Sequence, residues 1–128
     1  MEPKFRALDR LTGKMFPVGI IDYSIQSVYI EEPNEMYCER DFDDVELMQY
    51  TGLRDKNGRE IYEGDVVRYE CCFESYVEEV IYDDKHCNFG TIDKDEKTFS
   101  FDALISDFDV DCFEVVGNKY ENLELLGE

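Results

Sequence analysis

Basic residues are scarce in this 128-residue chain: 13 lysines and arginines face 32 aspartates and glutamates, a formal net charge of -19. A surface of that sign repels phosphates, and nucleic-acid binding needs a basic patch to release counterions, so no direct DNA or RNA binding is expected. Long apolar runs are missing as well. No stretch approaches the roughly 20 residues of a spanning helix. The N-terminus, MEPKFRALDR, lacks the apolar core of a secretory signal. Absence of a membrane partner and a cytoplasmic location are the expectations. Glycines such as Gly13, Gly19, Gly52, Gly58 and Gly64 stand singly, so there is no glycine-rich phosphate loop.

Histidine occurs once and cysteine five times, an odd number without a regular framework, which favours reduced thiols. His86 and Cys87 with Cys71, Cys72 and Cys112 raise the question of zinc. Structural zinc ligands usually pair two to four residues apart, whereas adjacent Cys71 and Cys72 would point to opposite faces of a strand. A single His beside a Cys in sequence does not imply a base beside a thiolate in space. Asp107-Phe108-Asp109-Val110-Asp111 opens like a calcium loop, but Cys112 and Asn118 stand where an EF-hand needs Gly and Glu. Carboxylate pairs arise by chance among so many acids and predict no hydrolase. The expectation is no metal, no cofactor and no enzyme.

What the chain does have is enough apolar surface to fold: 43% hydrophobic residues, with nine Tyr and nine Phe, suit one domain or two very small ones. Its acidity is uneven. Residues 65–128 hold 18 acidic and 5 basic side chains, a net -13, whereas residues 1–64 hold 14 and 8, a net -6. The acids read as a solvated surface; the sharper alternative is a decoy whose carboxylates imitate a phosphate backbone and occupy a host DNA-binding protein.

Strand signals dominate. Lys4 to Leu8 and Lys14 to Val18 flank a turn ending at Gly13, and Gly19 to Tyr23 and Ser27 to Ile30 follow around Ser24-Ile25-Gln26. Asp44 to Tyr50 leads into Asp55-Lys56-Asn57-Gly58, with Asn and Gly where a reversal needs positive φ. Asp65 to Phe73, Tyr76 to Tyr82, Cys87 to Ile92, Lys97 to Phe101 and Asp111 to Gly117 read as five further strands. On the first, Val67 and Tyr69 share a face that Val66 does not. On the second, a bulge between Glu78 and Glu79 would bring Val77 and Val80 together. Phe101 to Ile105 reads as a helical turn, and Tyr120 to Leu126 as a short helix.

Lys4-Phe5-Arg6-Ala7, Asp9, Thr12 and Lys14-Met15, then LMQYTGLRDKNGREIYEGDVV from Leu47 to Val67, then Glu114-Val115-Val116-Gly117-Asn118, Tyr120-Glu121-Asn122 and Glu124-Leu125-Leu126, resemble the YopX family. These are mostly small proteins encoded by bacteriophages and prophages. Leu8 and Leu123 depart from the family's frequent Trp and Pro. The resemblance supplies no biochemical activity to carry over to this chain. It implies a small SH3-type barrel in the second half.

The expected architecture is mainly β: an N-terminal β-hairpin region over residues 1–50, then an SH3-like small barrel over residues 51–128 with a short C-terminal helix. The expected role is a binding or assembly module acting through protein contacts, another copy of the chain included. Met48, Tyr50, Leu53, Arg54, Ile61 and Tyr62 are the candidate contact residues, because charge is thinnest there and Arg54, Lys56 and Arg59 lie among them. Tyr50, Tyr62 and Tyr69 read either as an aromatic groove or as core.

Overall fold

The computed structural model describes residues 4–33, 37–71, 73–101 and 113–126. The chain divides into two compact units, Met1–Tyr50 and Thr51–Glu128. It is mainly β, built as two antiparallel sheets, one of six strands and one of five. The calcium-like stretch Asp107 to Asp111, Cys72, Cys112 and the turn expected after Phe101 lie outside the described residues.

In the first unit, β1 (Phe5–Asp9), β2 (Lys14–Asp22), β3 (Ser27–Ile30), β4 (Cys38–Asp41) and the start of β5 (Val45–Arg54) are joined in the order β4-β3-β2-β1-β5. β2 is one long strand where two short segments were expected, and β4 was not anticipated. The register explains the first difference. It shifts between Val18 and Ile20, so Val18 pairs with Ile30 and Ile21 with Val28. In an unbroken strand Val18 and Ile21 would face opposite ways. The bulge at Gly19 turns both onto the core of Ala7, Phe16, Val28, Ile30 and Val45 and sends Ile20 out to solvent.

In the second unit, β5 runs on from Thr51 beside β6 (Glu60–Tyr62), the edge of the six-stranded sheet. The five-stranded sheet comprises β7 (Asp65–Cys71), β8 (Glu74–Asp83), β9 (Asn88–Ile92), β10 (Thr98–Ser100) and β11 (Glu114–Asn118), in the order β10-β9-β8-β7-β11. Among the described residues no ladder joins β10 to β11, so this sheet is open rather than the closed barrel expected. Its core is Ile61, Val67, Tyr69, Val80, Phe101, Phe113 and Val115. Val67 and Tyr69 share the apolar face as read, but Val66 is equally buried, so β7 is covered on both faces.

β8 corrects the expected bulge. Its register with β7 runs unbroken from Val66↔Glu79 to Cys71↔Glu74, which puts Glu78, not Val77, on the face of Val80. The Tyr69 hydroxyl, at 2.6 Å, and the Thr91 hydroxyl, at 2.9 Å, both donate to Glu78 Oε1. Hydrogen bonding of this kind is the condition for burying a carboxylate. The bulge in this sheet lies instead between Val115 and Gly117. The C-terminal helix is reduced to one 3-10 turn, Leu123–Leu126. Asn118 Oδ1 accepts the N–H groups of Tyr120 and Glu121, an Asx turn that ends the strand without starting a regular helix.

Candidate functional site

The residues expected to make contacts are mostly inside. Ile61 has no exposed surface, Met48 is 2% exposed and Tyr50 8%; Leu53 packs against the second core and Tyr62 is half-buried. Arg54 alone is exposed, and its guanidinium donates to Gly58 O at 2.9 Å and faces Glu60. Tyr69 stacks on Tyr76 and tilts against Phe113. Tyr50 and Tyr69 therefore occupy interior positions rather than an open groove.

The polar residues of the resembling blocks are committed to their own backbone. Asp55 Oδ1 accepts the N–H groups of Asn57 and Arg59, and Oδ2 that of Val115 on β11, each at 2.9 Å. Positive φ in that turn falls on Gly58, at +82°, and not on Asn57. Thr51 donates its hydroxyl to Ile61 O at 2.7 Å. Asp9, wholly buried, accepts from Leu11 N–H, the Thr12 hydroxyl and the Arg40 guanidinium, and so anchors edge strand β4 to the end of β1. Burial acts to raise the pKa of both aspartates. At Asp9 the bonds from Arg40, Thr12 and Leu11 outweigh it, and at Asp55 those from Val115, Arg59 and Asn57, so both carboxyls titrate below their ordinary range.

The same device recurs at the hairpin turns. Asp22 accepts Ser24 N–H, Asp83 accepts Lys85 N–H, and Asp93 accepts those of Asp95 and Lys97. Part of the acidity is thus turn chemistry, each aspartate accepting the N–H two residues on.

Three of the described apolar residues that face solvent lie in two connections of unit 1. Tyr23 is 72% exposed and Ile25 55% in the loop joining β2 to β3, and Leu11 is 65% exposed in the turn joining β1 to β2. Both connections are tied to one 3-10 turn, Phe42–Asp44. Phe42 N–H donates to Gln26 O, and Arg10 N–H to Asp44 O, each at 2.9 Å. The Tyr23 ring meets Phe42 edge-on, centroids 5.9 Å apart, and Phe42 in turn packs on the unit's core. The loop is therefore held in place, with Gln26 at φ +53°. Ile20 and Tyr37 are exposed as well, and the Tyr37 ring fills the space that a Cβ at Gly19 would need. Sequence reasoning missed these connections because it placed Tyr23 and Ile25 in or beside ordinary short strands; the one available signal was an apolar pair inside a turn sequence, Tyr23-Ser24-Ile25-Gln26.

Among the described residues unit 2 exposes Phe73, Val77, Tyr82 and Leu125. Phe73, fully exposed at the β7–β8 turn with φ +70°, is conspicuous because bulky residues rarely adopt the left-handed region. His86 Nδ1 lies 2.6 Å from Asp83 Oδ2 beside exposed Cys87. Among the described residues no group of three or more His, Cys, Asp or Glu converges as metal ligands would, and no helix is long and apolar enough to cross a membrane.

Comparison with curated proteins finds no match. Among solved structures, the crystal structure of protein EF1440 from Enterococcus faecalis is similar, with a TM-score of 0.68 and 28% sequence identity over 98% of this chain and 99% of that one. The two folds correspond over almost their whole lengths. The family model described as YopX protein matches residues 4–127, a span that takes in every block of resemblance and both units. The chain belongs to the YopX protein family.

Proposed function

We propose that the chain is a non-enzymatic binding module acting through protein contacts, and that the end of unit 1 bearing Tyr23, Ile25 and Leu11 is its contact surface. The observation that carries this reading is the exposure of Tyr23 and Ile25 on a loop fixed by Asp22–Ser24, Gln26–Phe42 and the Tyr23–Phe42 ring contact. Aromatic and aliphatic groups held ready for contact lose little entropy on binding and are typical interface anchors. Polar residues of the family blocks are spent on backbone hydrogen bonds, which argues against a catalytic role for them.

The family resemblance supports a phage or prophage accessory protein working in the bacterial cytoplasm. In unit 2, pairing of the unit's last strand, β11, with β7, and a meander through β8, β9 and β10, favour an SH3-type layout. The decoy alternative has less support, since Asp9, Asp22, Asp55, Asp83 and Asp93 serve turns rather than an outward array. The test is capture from a bacterial lysate with the wild-type chain and a Tyr23→Ser/Ile25→Ser variant, followed by reconstitution with the purified partner. Loss of that complex in a folded variant is expected; retention would reject the surface.

A further inference from the structure

We infer that the partner of this surface is a different protein whose apolar patch is rimmed by lysine and arginine, not a second copy of the chain. The inference rests on the contact reading above and concerns the charge around it. Asp22 stands opposite Ser27, and Ser27 opposite Asp41, in the β2-β3-β4 register. The turn that follows adds Asp43 and Asp44, and Glu39 and Asp41 are exposed on the edge strand.

Of the cations near this end, Arg40 and Arg10 are already engaged, while Lys14 stands exposed beside the turn of Leu11. Arg40 lies on the inner face opposite Val28, its guanidinium 3.1 Å from Asp9 and 3.6 Å from Glu32. Arg10 is paired with Glu46. Asp22, Glu39, Asp41 and Asp43 have no cation partner among the described residues, so the rim on the Tyr23–Ile25 side is acidic. Two copies meeting isologously at this end would set that rim against itself in a surface already desolvated, where like charges repel most strongly. A basic rim turns the same groups into steering and register contacts, while apolar burial of Tyr23, Ile25 and Leu11 supplies the salt-independent part of the affinity.

The test uses two synthetic 16-residue amphipathic helical peptides with one leucine and phenylalanine face, flanked by lysine in one and by glutamine in the other. Both are titrated into the full chain under amide NMR. The lysine peptide is expected to shift residues 22–26 and 41–44. Asp41→Asn/Asp43→Asn should weaken it by at least about fivefold and leave the glutamine peptide unchanged. Equal binding of both peptides at those amides would overturn the charge inference while leaving the contact surface standing. Shifts confined to residues 65–101 and indifferent to Tyr23→Ser would overturn the surface itself. Concentration-dependent shifts of residues 22–26 without peptide would assign the surface to a second copy and overturn the inference.

Discussion

Replacing Asp55 by alanine removes three hydrogen bonds at once, and their surroundings set the cost. Asn57 and Arg59 lie in an exposed turn, where water replaces the carboxylate at a loss of about 0.5–1 kcal/mol each. Val115 N–H is different. It sits in a buried strand position and its bond to Oδ2 spans 60 residues of sequence, so its loss should cost about 2–3 kcal/mol, within the range for a buried donor left unpaired or stripped of a charged partner. The total is about 3–5 kcal/mol, or a fall of roughly 15–35 °C in a unit of this size. Asp55→Asn keeps one acceptor and should lose about half as much. Urea unfolding followed by circular dichroism gives the global change, and hydrogen exchange at the Val115 amide gives the local one. A cost below about 1 kcal/mol for Asp55→Ala, with Val115 still protected, would refute the reasoning.

Acid should weaken the fold. Asp9, Asp22, Asp55 and Asp83 are all held below the ordinary value of 3.8. A carboxyl whose folded pKa is depressed contributes its stability in full above its unfolded pKa and loses it as pH falls through the folded one, so urea midpoints should hold above about pH 5 and fall steadily below about pH 4. A midpoint flat down to pH 2.5 would contradict this. Gly90→Ala would place a Cβ 2.1 Å from Phe99 O, a backbone atom that cannot yield. It should cost about 2 kcal/mol and expose the amides of Thr98 to Ser100 to exchange. Gly58→Val, at φ +82°, should cost about 1 kcal/mol or more in the same urea assay, and an unchanged midpoint would be contrary. Phe73→Gly should do the reverse, raising stability by about 1 kcal/mol through relief of a left-handed aromatic residue; a lower midpoint would show that Phe73 makes contacts that outweigh the strain.

Local chemistry was legible wherever it acts within a few residues. The mainly β character followed from β-branched and aromatic runs punctuated by turns, and the Asp55–Gly58 reversal from a short side chain that caps its own backbone beside a residue free of Cβ. Family membership was legible in the same residues, because the blocks that carry it hold the turns and ladders together. What the sequence alone misplaced depends on partners distant in the chain. Glu78 reads as solvated until the Tyr69 and Thr91 hydroxyls on the two flanking strands are seen to converge on it. A bulge looked necessary at Glu78 because the alternation seemed broken there, while the bulge at Gly19 went unread because only pairing with Val28 and Ile30 makes Val18 and Ile21 share a face. Met48 and Ile61 looked available for contact, yet tertiary packing buries them, and the connections that expose Tyr23, Ile25 and Leu11 are both hydrogen-bonded to one turn distant from them in the chain. A residue's chemistry and its local turn preferences belong to the sequence. Which face it occupies is a property of register, and register is fixed by strands that meet from far apart.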